Sequence, residues 1–119
     1  MTIPSIKNRD LIRSTLLELE KLPSFSEKHL NLLTQSQYCE KQFQFKSGIA
    51  VLMELPEGIS GQSVRELCYD GRGKGRFYVE PITLYGKSYL VTNYWYRIDR
   101  KNVRNNITPF LKWAEGFAK

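Results

Sequence analysis

Histidine is almost missing from this chain of 119 residues, with His29 standing alone. Cysteine is nearly as scarce: Cys39 and Cys68 are far apart and form no Cys-x-x-Cys pair. One histidine and two cysteines cannot close a four-ligand Cys/His zinc site within one chain. The carboxylates are scattered singly, without an Asp-x-Asp, His-Glu-x-x-His or Glu-x-Lys pattern. No metal and no other cofactor is therefore expected. A lone histidine reads as a surface residue, since a catalytic triad would need a nucleophile and an orienting acid beside it. No apolar run approaches the roughly 18–20 residues of a membrane span. The stretch Met1–Asp10 has no apolar core of a secretory signal. A cytoplasmic location with both thiols reduced and unbonded is the expectation. Asn106-Ile107-Thr108 matches a glycosylation sequon, but Pro109 follows it, and we assign it no meaning.

Apolar residues make up 41% of the chain and aromatics 13%, enough for a conventional core. The length suits one domain over 1–119, divided into a helical layer (1–47) and a hairpin-containing basic part (48–119). Asn8 is the expected N-cap of a first helix, with Ile12, Leu16 and Leu19 on one face and Pro23 as its stop. Ser24-Phe25-Ser26-Glu27 fits a capping box for a second helix through Leu30 and Leu33. Thr34-Gln35-Ser36-Gln37 opens a third through Cys39 and Phe43, and Gly48 closes the helical block. Ile49 to Leu55 reads as a buried strand, and Ser63-Val64-Arg65-Glu66 as the start of a short helix. Alternation at Phe77 and Val79, then Ile82 and Leu84, and a turn at Tyr85-Gly86-Lys87 predict a hairpin returning through Tyr89 and Val91. Asn93 is the expected cap of a helix holding Trp95 and Ile98. Thr108-Pro109 should launch the last helix, with Phe110, Trp113, Ala114 and Phe117 on one face. The expected class is α+β, with about three N-terminal helices, a small antiparallel sheet and C-terminal helices, possible in a winged-helix-like form.

Charge is unevenly spread. Lys and Arg total 18 against 12 acids, for a net +6. Residues 1–64 balance at seven of each sign, whereas 65–104 hold nine cations and four acids. Such asymmetry points to a polyanion or an acidic partner. In Gly71-Arg72-Gly73-Lys74-Gly75-Arg76, glycine lets the backbone approach a phosphate and cations alternate with it; a solvated linker is the plainer reading. The spacing is not a dinucleotide fingerprint. Gly86-Lys87-Ser88 resembles the end of a P-loop, but Pro81 stands where the first glycine is required. Tyr85, Tyr89, Tyr94, Trp95 and Tyr96 lie among Lys87, Arg97, Arg100, Lys101 and Arg104. Aromatic rings stack bases and guanidinium groups bind phosphates, although in a small domain such aromatics commonly pack the core. The second and third helices also allow a helix-turn-helix exposing Gln37, Lys41, Gln42 and Gln44, a reading weakened by a turn without glycine.

The expected function is a basic nucleic-acid-binding module, DNA favoured over RNA. Its candidate contacts are Arg72, Lys74, Arg76, Lys87, Tyr94, Tyr96, Arg97, Arg100, Lys101 and Arg104, supplied by a glycine-rich loop and an arginine-rich helix. An acidic protein surface is the alternative partner, which would make the chain an antitoxin, an inhibitor or a docking subunit. A metal-independent ribonuclease of toxin type is the second alternative. Enzymatic activity is the less favoured reading, and no catalytic residue is assigned.

Overall fold

A computed structural model describes residues 7–69, 73, 75–99, 101 and 104–118. Five helices and three short strands follow one another along it. They are α1 (Asn8–Glu20), α2 (Glu27–Leu32), α3 (Ser36–Phe43), β1 (Leu52–Glu54), α4 (Gly61–Leu67), β2 (Ile82–Leu84), β3 (Lys87–Val91) and α5 (Ile107–Glu115). The fold is α+β.

The strands form one antiparallel sheet in the order β1-β3-β2. Leu52 sits opposite Val91, and Ile82 opposite Tyr89. Successive side chains of a strand point to opposite faces, and here both faces are used. Leu52, Ile82, Leu84, Tyr89 and Val91 join a large core with Ile12 and Leu16 of α1, Leu30 of α2, Phe43 of α3 and Phe110 of α5. Leu90 points the other way, into a smaller cluster with Leu55, Val64 and Cys68, flanked by Met53 and Phe77. Helices α1, α2, α3 and α5 thus cover one face, while α4 covers part of the other. Cys39 and Cys68 belong to different clusters, and neither is disulfide-bonded. Each is buried, and each thiol reaches a backbone carbonyl, Leu33 for Cys39 and Tyr78 for Cys68.

Aromatic packing joins α3 to α5. Phe43 meets Phe110 and Trp113 edge-on at centroid distances of 5.4 Å, and Trp95 meets Phe45 at 5.1 Å and Phe110 at 5.2 Å. Such pairs add roughly 0.5–1.5 kcal/mol beyond the area they bury. The Tyr89 hydroxyl is buried without a hydrogen-bond partner among the described residues.

Four helix starts differ from expectation. Lys7, not Asn8, is the N-cap of α1, and the Asn8 amide serves a tertiary contact instead. At α2 the cap is Ser26, whose N–H donates to His29 Nδ1 at 3.1 Å; the Ser24 hydroxyl reaches the Phe117 carbonyl. Helix α4 begins earlier than Ser63, because the Ser60 hydroxyl accepts the Ser63 N–H. Helix α5 starts at Ile107, and Asn105 Oδ1 accepts the Thr108 N–H at 3.1 Å. Polar stretches offer several capping side chains, and the one that leaves the apolar stripe facing the core is used.

Candidate functional site

After β3 the described residues 93–99 do not form the expected helix. Residues 93–96 have no regular secondary structure, and 97–98 only bend. Neighbouring groups account for this. The Trp95 indole N–H donates to the Thr92 carbonyl at 2.7 Å, and the ring is buried against Phe45 and Phe110. Asn106, itself buried, donates from Nδ2 to the Tyr94 carbonyl at 2.7 Å and accepts the Tyr96 N–H at Oδ1 at 2.9 Å. Those are backbone groups a helix would use for itself. From the other side, Asn8 Nδ2 donates to the Trp95 carbonyl at 3.2 Å, and Arg97 Nε donates to Asn8 Oδ1 at 2.6 Å. Over the described residues 93–99 the arginine-rich helix of the sequence reading is therefore corrected to an irregular segment held between α1 and the start of α5.

The clamp leaves Tyr94 and Tyr96 half-buried on the wall of a small pocket of about 130 Å³. Arg104, Gln44, Lys46, Phe45, Ile49 and Asn106 complete the lining. Gln44 ends α3 in a left-handed conformation, with φ at 63°. That turn sends Phe45 into the core and leaves Lys46 exposed beside the tyrosines. Among the described residues, none that lines the pocket is acidic. Arg104 lies 4.0 Å from Asp99, with both side chains more than half exposed, and such a pair contributes little. Lys101 is exposed a few residues before Arg104. Two tyrosines and two cations around a cavity of this size suit a flat ring beside negative charge.

Other candidate residues are distributed differently. Arg76 is exposed next to Phe77, and its carbonyl accepts the Asn93 N–H at 3.1 Å, so it lies at the Thr92 end of the sheet. Lys87 stands at the opposite end of β3, about 16 Å away along the strand at some 3.3 Å per residue. It approaches Glu27 at 4.0 Å and lines a wider groove of about 680 Å³ with Glu54 and Glu57. That groove carries acids and does not suit a polyanion. Arg72, Lys74 and Arg100 lie outside the described residues. The ends of the glycine-rich loop are joined by a bridge between Tyr69 and Gly75. The tyrosine cluster read from the sequence divides. Tyr89 and Trp95 are buried, Tyr85 belongs to the hairpin turn, and only Tyr94 and Tyr96 reach the pocket. Gln37, Lys41 and Gln42 are exposed on α3, but they do not line it.

Lys46 and Asn106 were not among the candidates. Lys46 lies in the half of the chain with no net charge, so a charge map passes over it. Asn106 had a sequence signal, an asparagine preceding a helix, but its partners are ten and twelve residues away.

Among the described residues, no group of three or more His, Cys, Asp and Glu side chains is placed to hold a metal ion. No described helix is long and apolar enough to cross a membrane. Comparison with protein-family models, with curated proteins and with solved structures finds no match to this chain.

Proposed function

We propose that this chain is a small nucleic-acid-binding module, with DNA the first ligand to test and RNA the second. One observation carries the reading: Tyr94, Tyr96, Lys46 and Arg104, drawn from three separate stretches, line one pocket with no acid among its described lining residues. Lys101, exposed three positions before Arg104 in the sequence, is proposed as a further cation. Backbone contacts of this kind supply affinity without a base code, and they make binding fall with salt as neutralised phosphates release counterions. The excess charge of 65–104 steers association toward the same polyanion. The glycine-rich loop, with Arg72, Lys74 and Arg76, is proposed as a second set of phosphate contacts.

Gel shifts with duplex DNA, single strands and RNA at two salt concentrations test this reading. Replacing Lys101 and Arg104 together with alanine should weaken binding to every bound nucleic acid. The slope of log affinity against log salt should become shallower by about one unit for each lost phosphate contact. Melting should hardly move, because exposed substitutions usually cost within about 0.5 kcal/mol. Absence of salt-dependent binding would transfer the basic face to an acidic protein partner, and degradation of RNA during the assay would favour the ribonuclease.

A further inference from the structure

We infer that the Tyr94–Tyr96 pocket receives one unpaired base of a single-stranded nucleic acid, with Lys46 and Arg104 taking the phosphates that flank it. The inference rests on the nucleic-acid reading and narrows its ligand. Size is the first argument. A cavity of about 130 Å³ falls well short of the roughly 300–1,000 Å³ typical of small-molecule sites. What enters is part of something larger. Chemistry is the second. Tyrosine rings stack bases whatever their identity, but in a duplex both faces of a base are already covered by its neighbours. Only an unpaired base, splayed from its strand, can enter a recess walled by two tyrosines.

Polarity supplies the third argument. The carboxamide of Asn106 is occupied by the backbone of Tyr94 and Tyr96, so it shapes the pocket and does not read the ligand. The Gln44 side chain, exposed on the lining, offers both a donor and an acceptor to a base edge. One adaptable amide gives weak sequence preference. The site then binds many sequences and discriminates by strandedness. Cations from both halves of the chain also place the backbone of the strand across the junction between α3 and the segment before α5.

Fluorescence polarisation with an end-labelled oligothymidylate of about a dozen nucleotides and a duplex of equal length tests the inference. A site of this kind spans roughly 4–16 nucleotides. The single strand should bind at least about tenfold more tightly than the duplex. Tyr96→Ala should weaken the single strand about 5- to 150-fold, the range for loss of one base–aromatic stack, and so reduce its advantage over the duplex. Tyr96→Phe, which keeps the ring, should restore most of that loss. Lys46→Ala, at an exposed position that does not threaten the fold, should weaken single-strand binding and reduce its salt slope by about one unit. Equal affinity for the two forms, or single-strand binding unchanged in both Tyr96→Ala and Lys46→Ala, overturns the single-strand assignment while nucleic-acid binding stands. Absence of binding by either form overturns both.

Discussion

Asn106 directs both ends of its carboxamide to one backbone segment, behind the tyrosines of the pocket. Asn106→Ala would leave the Tyr94 carbonyl and the Tyr96 amide without their partners at 2.7 and 2.9 Å. An unsatisfied buried polar group costs about 1–3 kcal/mol. Urea denaturation should therefore show a loss of about 2–4 kcal/mol, and Asn106→Asp, which keeps the acceptor alone, should fall between. Cys39 makes a different test. Burial, reinforced by nearby Glu40, pushes its thiol up to about 11, while the Val51 amide bonded to its sulfur pulls the other way. In the unfolded chain the thiol ionises near its ordinary value of 9.0, whereas in the fold it stays protonated. Its contribution is thus fully present below pH 9 and is lost as pH rises toward 11. A shift of that size corresponds to about 2–3 kcal/mol. Stability measured across that window should decline less steeply in Cys39→Ala than in the parent. Burial also pushes the hydroxyls of Tyr78, Tyr85 and Tyr89 above their ordinary ionisation range, so the difference between the two slopes is the quantity to read.

The β2–β3 hairpin turns on Tyr85 and Gly86, with φ of 51° and 77°. Two consecutive positive φ values define the mirror-image turn that matches the twist of a hairpin. Tyr85 is an unusual residue for such a position, and α1 holds it there: its N–H donates to Glu20 Oε2 at 2.6 Å. Gly86 has nothing close to its side-chain direction. Gly86→Ala should therefore cost about 1–2 kcal/mol through backbone conformation alone, readable as a lowered urea midpoint at unchanged m-value. This hairpin was legible because alternating apolar residues around Tyr-Gly-Lys leave one register that buries Ile82, Leu84, Tyr89 and Val91. The segment after it was not. Asn93, Trp95 and Ile98 have local helical spacing, yet Trp95 is buried and Ile98 is 60% exposed. Asn106 and Asn8 settle that segment through contacts up to 89 residues away in sequence, which local pattern cannot carry. Helix starts shifted for a related reason, since Ser24, Ser26, Ser60 and Ser63 all look like caps and only packing selects among them.

Across the whole molecule, the class of fold follows from apolar periodicity, and the stripe Ile12, Leu16 and Leu19 is buried as its spacing requires. The candidate site was half legible. Tyr94, Tyr96 and Arg104 stand in the charged part of the chain, but their partners Lys46 and Gln44 come from the balanced half. Lys87 is the reverse case, a cation inside the charged stretch that the strand carries to an acidic groove. Net charge locates a region; only the path of the chain says which cations converge. The same path has a kinetic consequence. Asn8 meets Trp95 and Arg97 across 87 and 89 residues, and Ser24 meets Phe117 across 93. Closing so long a loop costs conformational entropy before any contact rewards it. The β2–β3 hairpin and the individual helices close short loops, so they can form early. The clasp of α1 on the Trp95 segment belongs to the last stage of folding, and the tyrosine pocket is complete only once nearly the whole chain is in place.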